Sequence, residues 1–219
     1  MARNRSSCGN RDPRRAETLL APVLPREHGP GEADLSAVAA PDGTEIFFCG
    51  GDEWLRDFVP AGAAPSGAGI TGIDHVALTQ PFDHFDEATL FYRSVLGLRP
   101  EPVAEFAAPF GLVRSRAVGE GNVRLTLDSA LVRRGEWAPG VPSPQHIALA
   151  CDGALAVAEL RENSVLYDRD EHGEFLHFCT ELVGSRVFFE VVQRIGGYGV
   201  VNTPVYMTAH RERRLSLAR

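Results

Sequence analysis

From residue 70 onward the order of apolar and polar positions predicts short strands interrupted by helices. Residues 70–80 are apolar and β-branched enough to form a strand, whereas the apolar side chains of 85–96 recur at helical spacing. Gly97 stands where a helix commonly ends. Three more strands are predicted over 103–107, 111–118 and 122–129.

The pattern then starts again. A strand is predicted over 144–152, a short helix over 154–161, and strands over 164–170, 174–180 and 187–194, with a turn at 171–173. The first strands of the two halves are alike, since IDHVAL at 73–78 resembles PQHIAL at 144–149, and their histidines lie 71 residues apart. The sequence therefore predicts two βαβββ modules, 70–130 and 144–195, that pair into an incomplete, cupped barrel of the α+β class.

The residues before the first module give weaker signals. Residues 1–33 are expected to be largely disordered or poorly ordered, with a possible short helix over 16–20. Strands over 34–40 and 44–50, joined by Pro41-Asp42-Gly43, predict a hairpin within 34–58. Because a lone hairpin is marginal in water, we expect it to pack against another part of the protein. Residues 59–69 are typical of a linker, and 211–219 form an arginine-rich tail.

Each module carries one histidine at the same position of its first strand. Strand alternation predicts that each ring shares a face with small residues, while branched apolar residues take the other face. The histidine faces are predicted to hold Ile73, His75, Ala77 and Thr79 in the first module, and His146, Ala148 and Ala150 in the second. The small side chains leave room beside the imidazole rings.

Glu190 is unusual because it lies inside the apolar run VFFEVV. A carboxylate buried without a partner costs several kcal/mol or is forced to be neutral, and a cation resolves this problem. Two imidazoles and one carboxylate form the facial triad of a divalent metal, with open positions for substrate. The sequence therefore predicts a metal site made of His75, His146 and Glu190.

Three further residues are candidates for the substrate pocket. Thr126 aligns with Glu190 when the last strands of the two modules are superposed, so it is expected to line the site. His177 lies on the strand before that of Glu190 and is either a pocket residue or a cross-strand neighbour, and Gln193 is a further candidate. No catalytic residue is assigned.

Other interpretations stay open for these residues. A single strand histidine is more often a hydrogen-bonded core residue than a ligand, and a single strand glutamate can face solvent at a barrel rim. The two equivalent histidines, together with the glutamate, favour the metal site. His84, Cys49, Cys151 and Cys179 are interpreted as loop residues, strand filler and core thiols.

Composition excludes several classes of function. The net charge of -7 argues against nucleic acid or an anionic membrane as partner. All 22 basic residues are arginine, which removes mechanisms that need a Schiff-base or phosphate-binding lysine. No two of the four cysteines form a close pair, so a reducing cytoplasm is the expected location. No apolar run approaches the roughly 18 residues of a membrane span, and the basic N-terminus lacks the apolar core of a secretory signal.

Several longer motifs resemble a known superfamily. GIDHVALTQPFDHFDEATLFYRSVLGL, PQHIALA and GEFLHFCT with VFFEVVQRIGGYG are similar to the 4-hydroxyphenylpyruvate dioxygenase-like branch of the vicinal oxygen chelate (glyoxalase/dioxygenase) superfamily. APDGTEIFFCG, WLRDF, LYDRDEHGEFLHF and NTPVYMTAHR look more like the C-terminal domain of two-domain bacterial 3-dehydroshikimate dehydratases. The resemblance runs from about Asp34 to His210.

The resemblance implies a fold, ligands and a function. The fold would be the vicinal oxygen chelate fold over 70–210, and the 34–58 hairpin would be what is left of an N-terminal oxygen-chelate half. The family's ligands would fall on His75, His146 and Glu190, with His177 where the dioxygenases carry a substrate-contacting glutamine. One divalent metal is expected, iron(II) first and magnesium, manganese or cobalt as alternatives.

Two functions follow from this resemblance. One is a dioxygenase-like oxidoreductase acting on a small 2-oxo or aromatic acid. The other is a non-catalytic metal-binding module that pairs with itself or with a separately encoded dehydratase barrel. The resemblance does not extend to the barrel that dehydrates 3-dehydroshikimate in those relatives.

Overall fold

The structure is a computed structural model of the chain. It describes residues 13–25, 27–49, 52, 54–55, 58–59, 69–108, 111–132, 143–152, 165–171, 173–181, 183 and 187–196. The linker predicted over 59–69 lies almost entirely outside these residues, and so do the helix predicted over 154–161 and the tail at 211–219.

The described residues form two sheets, two α-helices and a short 3-10 helix over Phe82–His84. The N-terminal part contributes α1 (Pro13–Thr18), β1 (Val23–Leu24), β2 (Ala37–Ala39) and β3 (Glu45–Phe47). The first module contributes β4 (Ile70–Gln80), α2 (Phe85–Val95), β5 (Arg99–Pro100), β6 (Ala104–Ala108), β7 (Gly111–Glu120) and β8 (Val123–Val132). The second contributes β9 (Ser143–Cys151), β10 (Leu166–Asp170), β11 (Gly173–Cys179) and β12 (Phe188–Gly196).

The nine-stranded main sheet has the symmetry that the sequence repeat predicts. Its order is β10-β11-β12-β9-β4-β8-β7-β5, with β6 also paired to β7. In each module the first strand runs parallel to the last one, β4 beside β8 and β9 beside β12. The two modules join through the antiparallel pair β4–β9. The two first strands, which carry the histidines, therefore lie side by side at the centre of the sheet.

One face of the first module is covered by α2. Five of its residues at helical spacing, Phe85, Ala88, Thr89, Tyr92 and Val95, are buried. They pack on the outer face of the sheet, where Leu78 and Leu127 are 3% and 0% exposed. The helix ends at Val95, just before the predicted stop at Gly97, whose φ of 69° glycine adopts without strain. This packing leaves the opposite face of β4 for the site.

The N-terminal segment is more ordered than the sequence predicts. Over Pro13–Leu24, where the sequence predicts little order apart from a possible short helix over 16–20, α1 forms and β1 pairs with β2. Ala16 is fully buried in the cluster that surrounds α2, and the Arg15 guanidinium donates to the Ser94 carbonyl. The hairpin of β2 and β3 forms as predicted, and it packs against the first module.

The remaining strand predictions hold to within a few residues, with two omissions. β1 and β5 were not predicted, because two residues paired at a sheet edge leave no periodic signal. No helix within the described ranges is long and apolar enough to cross a membrane.

Candidate metal centre

Three neighbouring strands bring the predicted ligands to one face of the sheet. His75 lies on β4, His146 on β9 and Glu190 on β12. Ala148 of β9 is the cross-strand partner of both His75 and Glu190, and His146 is opposite Ala77. Because both alanines are fully buried and small, the longer side chains beside them can converge above the sheet.

The donor atoms of these three residues fit a metal ion. His75 Nε2 lies 3.0 Å from His146 Nε2 and 3.6 Å from Glu190 Oε2, and His146 Nε2 lies 3.3 Å from the same oxygen. An octahedral ion with bonds of about 2.1 Å separates neighbouring ligands by about 3 Å, so a triangle of this size matches one octahedral face. The three side chains are between 3% and 7% exposed. His75, His146 and Glu190 can therefore hold a divalent metal.

Asp74, which the sequence analysis did not single out, orients the first ligand. Its Oδ1 lies 2.7 Å from His75 Nδ1, and a carboxylate accepts, so Nδ1–H donates. The neutral ring then presents the lone pair of Nε2 to the metal position, as in the carboxylate–histidine–metal arrangement of many metalloproteins. Arg194 in turn donates to Asp74 from Nη2 at 2.8 Å and from Nε at about 3 Å. A chain from Arg194 through Asp74 thus fixes His75.

A β-bulge makes this contact possible. Adjacent strand residues normally point to opposite faces, but β4 shifts register against β9 between Ile73 and His75, and Asp74 is the extra residue. The bulge also places the side chain of Ile73 on the face of the sheet opposite to His75. Ile73 pairs with Leu149 and is 63% exposed, so the prediction that it shares the face of His75 is wrong.

Burial and hydrogen bonding in the centre favour the protonation states that metal binding needs, a neutral His75 ring and an ionised Glu190 carboxylate. Burial lowers the pKa of His75, more than the hydrogen bond to Asp74 raises it, so the ring is neutral near pH 7. Burial would raise the pKa of Glu190, but hydrogen bonds with His146 and His177 outweigh it and hold that pKa well below its usual range. Burial would also raise the pKa of Asp74, but hydrogen bonds with His75 and Arg194 outweigh this effect and lower that pKa. Both carboxyls are therefore ionised.

His177 lies beside the centre and contacts Glu190 directly. Its Nδ1 is 2.5 Å from Glu190 Oε1, and its ring is 2% exposed with Phe175 at 4.8 Å between centroids. His146 is held in a similar way, since the Phe188 ring stacks on it at 4.9 Å. Aromatic neighbours thus restrict both imidazole rings.

Cys179, which the sequence predicts only as a core thiol, also lies beside the centre. It is the cross-strand partner of Glu190 and lies on the same face as His177. Burial, together with the charge of Glu190, raises the pKa of its thiol to about 12. The thiol is therefore a poor nucleophile in the absence of a cation.

Thr126 and Asp128 contribute the inner face of β8. Thr126 pairs with Ala77 as Glu190 pairs with Ala148, which is the equivalence that the repeat predicts. Asp128, two residues further, is 2% exposed, and burial raises its pKa despite the Ser115 hydroxyl and the His146 ring. A buried carboxyl on this face had no distinct sequence signal, because LTLDSA also fits an edge strand with a solvent-facing aspartate.

Gln193, which the sequence predicts as a pocket residue, does not lie on the face of the sheet that carries the candidate metal centre. The ladder between β11 and β12 is regular, so Gln193 faces the same side as its partner Leu176, opposite to Glu190. Arg194, one residue on, faces the centre and lies 4.6 Å above the Phe175 ring. The predicted pocket residue Gln193 is therefore the chain neighbour of Arg194, which contacts the site.

Comparison with known proteins gives two kinds of similarity. No protein-family model matches the chain. Two curated 3-dehydroshikimate dehydratases do, from Pseudomonas aeruginosa at 32% identity and from Pseudomonas putida at 30%, each over 87% of this chain. The chain spans only 38% of the length of each.

Solved structures agree with the fold. A xylose isomerase-like TIM barrel/4-hydroxyphenylpyruvate dioxygenase fusion protein matches with a TM-score of 0.69 and 27% identity, over 94% of this chain and 40% of that one. A mutant of 4-hydroxymandelate synthase from Streptomyces coelicolor matches with a TM-score of 0.65 and 20% identity, over 92% of this chain and 72% of that one. The similar proteins are enzymes, and the α+β cupped fold predicted from the repeat, that of the vicinal oxygen chelate proteins, is confirmed.

Proposed function

We propose that this protein is a divalent-metal-dependent enzyme, similar to 4-hydroxyphenylpyruvate dioxygenase, that acts on a small 2-oxo or aromatic acid. The observation that carries the proposal is the convergence of His75 Nε2, His146 Nε2 and Glu190 Oε2 within 3.6 Å of one another. The names of the matched fusion protein and synthase support the class of reaction.

In this proposal His75, His146 and Glu190 would hold one divalent ion beside the position of the substrate. Iron(II) bound there would supply the capacity to activate dioxygen and to bind an oxo acid through two oxygens. Asp74 and Arg194 would keep His75 in the ligating tautomer. Thr126, opposite Ala77, and His177, beside Glu190, would line the substrate position.

Metal analysis combined with oxygen uptake tests the proposal. After reconstitution with iron(II), we expect one ion per chain, and oxygen consumption with 4-hydroxyphenylpyruvate or another 2-oxo acid. Glu190→Ala should lose both. Glu174→Ala, which changes a half-buried glutamate of the adjacent strand, should keep both. Iron bound in the wild type without oxygen uptake on any oxo or aromatic acid would refute the dioxygenase activity.

A second function is favoured by the lengths of the relatives. The chain covers 38% of proteins named 3-dehydroshikimate dehydratase and 40% of a barrel fusion, which is the relation of one domain to a larger protein. The N-terminal segment also exposes Leu20 and Val23, at 89% and 51%. The chain would then be a non-catalytic metal-binding module that partners a separately encoded dehydratase barrel.

Light scattering of the protein mixed with a separately produced dehydratase barrel distinguishes this function. A complex that forms with metal-loaded protein and raises dehydration of 3-dehydroshikimate would support the module. Two unassociated species, with unchanged dehydration, would rule it out.

A further inference from the structure

The two carboxylate oxygens of Glu190 face two different groups of side chains. Oε2 faces His75 and His146, at 3.6 and 3.3 Å from their Nε2 atoms. Oε1 faces His177, at 2.5 Å from Nδ1. The predicted metal centre uses only Oε2, so Oε1 is available to a second centre on the other side of the carboxylate.

Cys179 completes a second set of candidate ligands with His177 and Glu190. It lies directly opposite Glu190 in the β11–β12 ladder and two residues from His177, on the same face. Donor atoms from His177, Cys179 and Glu190 all lie within 4.8 Å of one another. Given zinc bonds of about 2.0–2.3 Å, donors in a tetrahedral zinc site are about 3.3–3.8 Å apart, so small side-chain rotations bring the three atoms into range.

We propose that His177, Cys179 and Glu190 form a second metal site, for a thiophilic divalent ion such as zinc, cobalt(II) or cadmium, with Glu190 bridging the two ions. The thiolate is the ligand that selects such ions, whereas the first centre offers only nitrogen and carboxylate oxygen. One thiolate and a shared carboxylate offset most of the charge of a divalent ion, which removes the cost of burying either group alone. A fourth position is left for water.

A metal ion bound at the second site weakens metal binding at the first centre. An ion at Oε1 replaces the hydrogen bond from His177, so Glu190 is then shared between two cations and binds each less strongly. The site does not depend on the proposed enzyme activity, because His75 and His146 contribute nothing to it. A thiophilic ion is expected to weaken iron binding at the first centre rather than to strengthen it.

Cobalt(II) titration followed by absorption tests the second site. A bond between sulfur and cobalt gives an intense charge-transfer band in the near ultraviolet, which nitrogen and oxygen ligands do not produce. We expect the band in the wild type and its loss in Cys179→Ser. Cys8→Ser, Cys49→Ser and Cys151→Ser should retain it. The His75→Ala variant should also retain the band while losing the first ion, so failure of the two centres can be told apart.

Stoichiometry and cadmium NMR provide readouts independent of one another. Cadmium should bind at two ions per wild-type chain and one per Cys179→Ser chain, and the wild type should show two resonances, one with the chemical shift of thiolate coordination. The NMR measurement needs no variant, so a misfolded substitution cannot obscure the answer. Absence of the charge-transfer band and of the thiolate resonance at excess metal overturns the proposal, and so does a band that survives in Cys179→Ser.

Discussion

At the scale of single residues, the orientation of a ligand matters as much as its identity. Asp74 accepts from His75 and is itself held by Arg194, so Asp74→Asn keeps the shape but removes the charge. Loss of such a partner commonly weakens metal binding by about 10- to 100-fold. We expect a loss of this size for the first ion, measured by competition against a chelator.

The matched control is Asp83→Asn. This aspartate is exposed near the start of α2 and makes none of these contacts, so its metal affinity should equal that of the wild type. An affinity for Asp74→Asn within twofold of the wild type would show that His75 needs no orienting carboxylate.

Asp128 is expected to make stability depend on pH with a sign opposite to that of Asp74. An unfolded aspartate ionises near pH 4, whereas burial raises the pKa of folded Asp128. The metal-free protein should therefore lose stability as pH rises from about 4 through the folded pKa. Asp128→Asn removes this pH-dependent loss of stability. The unfolding free energy of the variant, relative to that of the wild type, should therefore increase as pH rises over that interval. The increase should be about 1.4 kcal/mol for each pH unit between the unfolded and the folded pKa.

Urea unfolding at a series of pH values measures the unfolding free energies of Asp128→Asn and Asp74→Asn against that of the wild type. For Asp74 the folded pKa is lowered, so its stabilisation is present above about pH 4 and is lost as pH falls through the folded pKa. Asp74→Asn should thus be less stable than the wild type at neutral pH and approach it in acid. A stability difference for Asp128→Asn that does not change with pH would contradict a raised pKa for the buried Asp128 carboxyl.

At the scale of elements, the centre depends on small residues where β4, β9 and β12 adjoin. Ala148 is fully buried and lies opposite both His75 and Glu190. Ala148→Leu adds a branched side chain to the space in which the ligands converge. We expect metal binding to be lost, and stability to fall by about 1–3 kcal/mol from overpacking.

Ala88→Leu separates these two effects. Ala88 is equally buried, but it lies in α2 on the other face of the sheet. This variant should lose comparable stability and keep its metal, as measured by urea unfolding and elemental analysis. Retained metal in folded Ala148→Leu would show that the space above β9 is larger than the contacts indicate.

At the scale of the whole molecule, the N-terminal sheet and the first module share one core. Asp42, 6% exposed, accepts from the Thr44 backbone N–H at 2.9 Å and from the side-chain amide of Gln80 at the end of β4. Asp42→Ala leaves a buried amide without this acceptor, which costs about 1–3 kcal/mol. We expect a loss of that size in a single cooperative urea transition.

Asp42→Asn serves as the conservative comparison, because its carbonyl oxygen still accepts one of the two hydrogen bonds, and it should be affected less. Two separate transitions in the wild type would mean that the N-terminal sheet unfolds independently of the first module.

Much of the fold and the candidate ligand set follow from the sequence by itself. Period-two alternation, the helical spacing of 85–96 and the recurrence of a strand histidine after 71 residues predict two paired modules. Glu190 inside an apolar run is conspicuous for the same reason, since burial of a charge demands a partner. These signals are local or repeated, and short-range backbone geometry determines them.

Tertiary structure alone decided the rest. Asp74 reaches His75 only because a bulge breaks the alternation of β4, and a bulge depends on how two strands pair rather than on either sequence. Cys179 can join Glu190 in the proposed second site only because the register of β11 and β12 sets these two residues, 11 positions apart in sequence, opposite each other. The order at Pro13–Leu24 likewise comes from packing against α2, which weak local propensity could not reveal. The sequence indicated three residues that can bind a metal, and long-range strand register determined which side chains surround them.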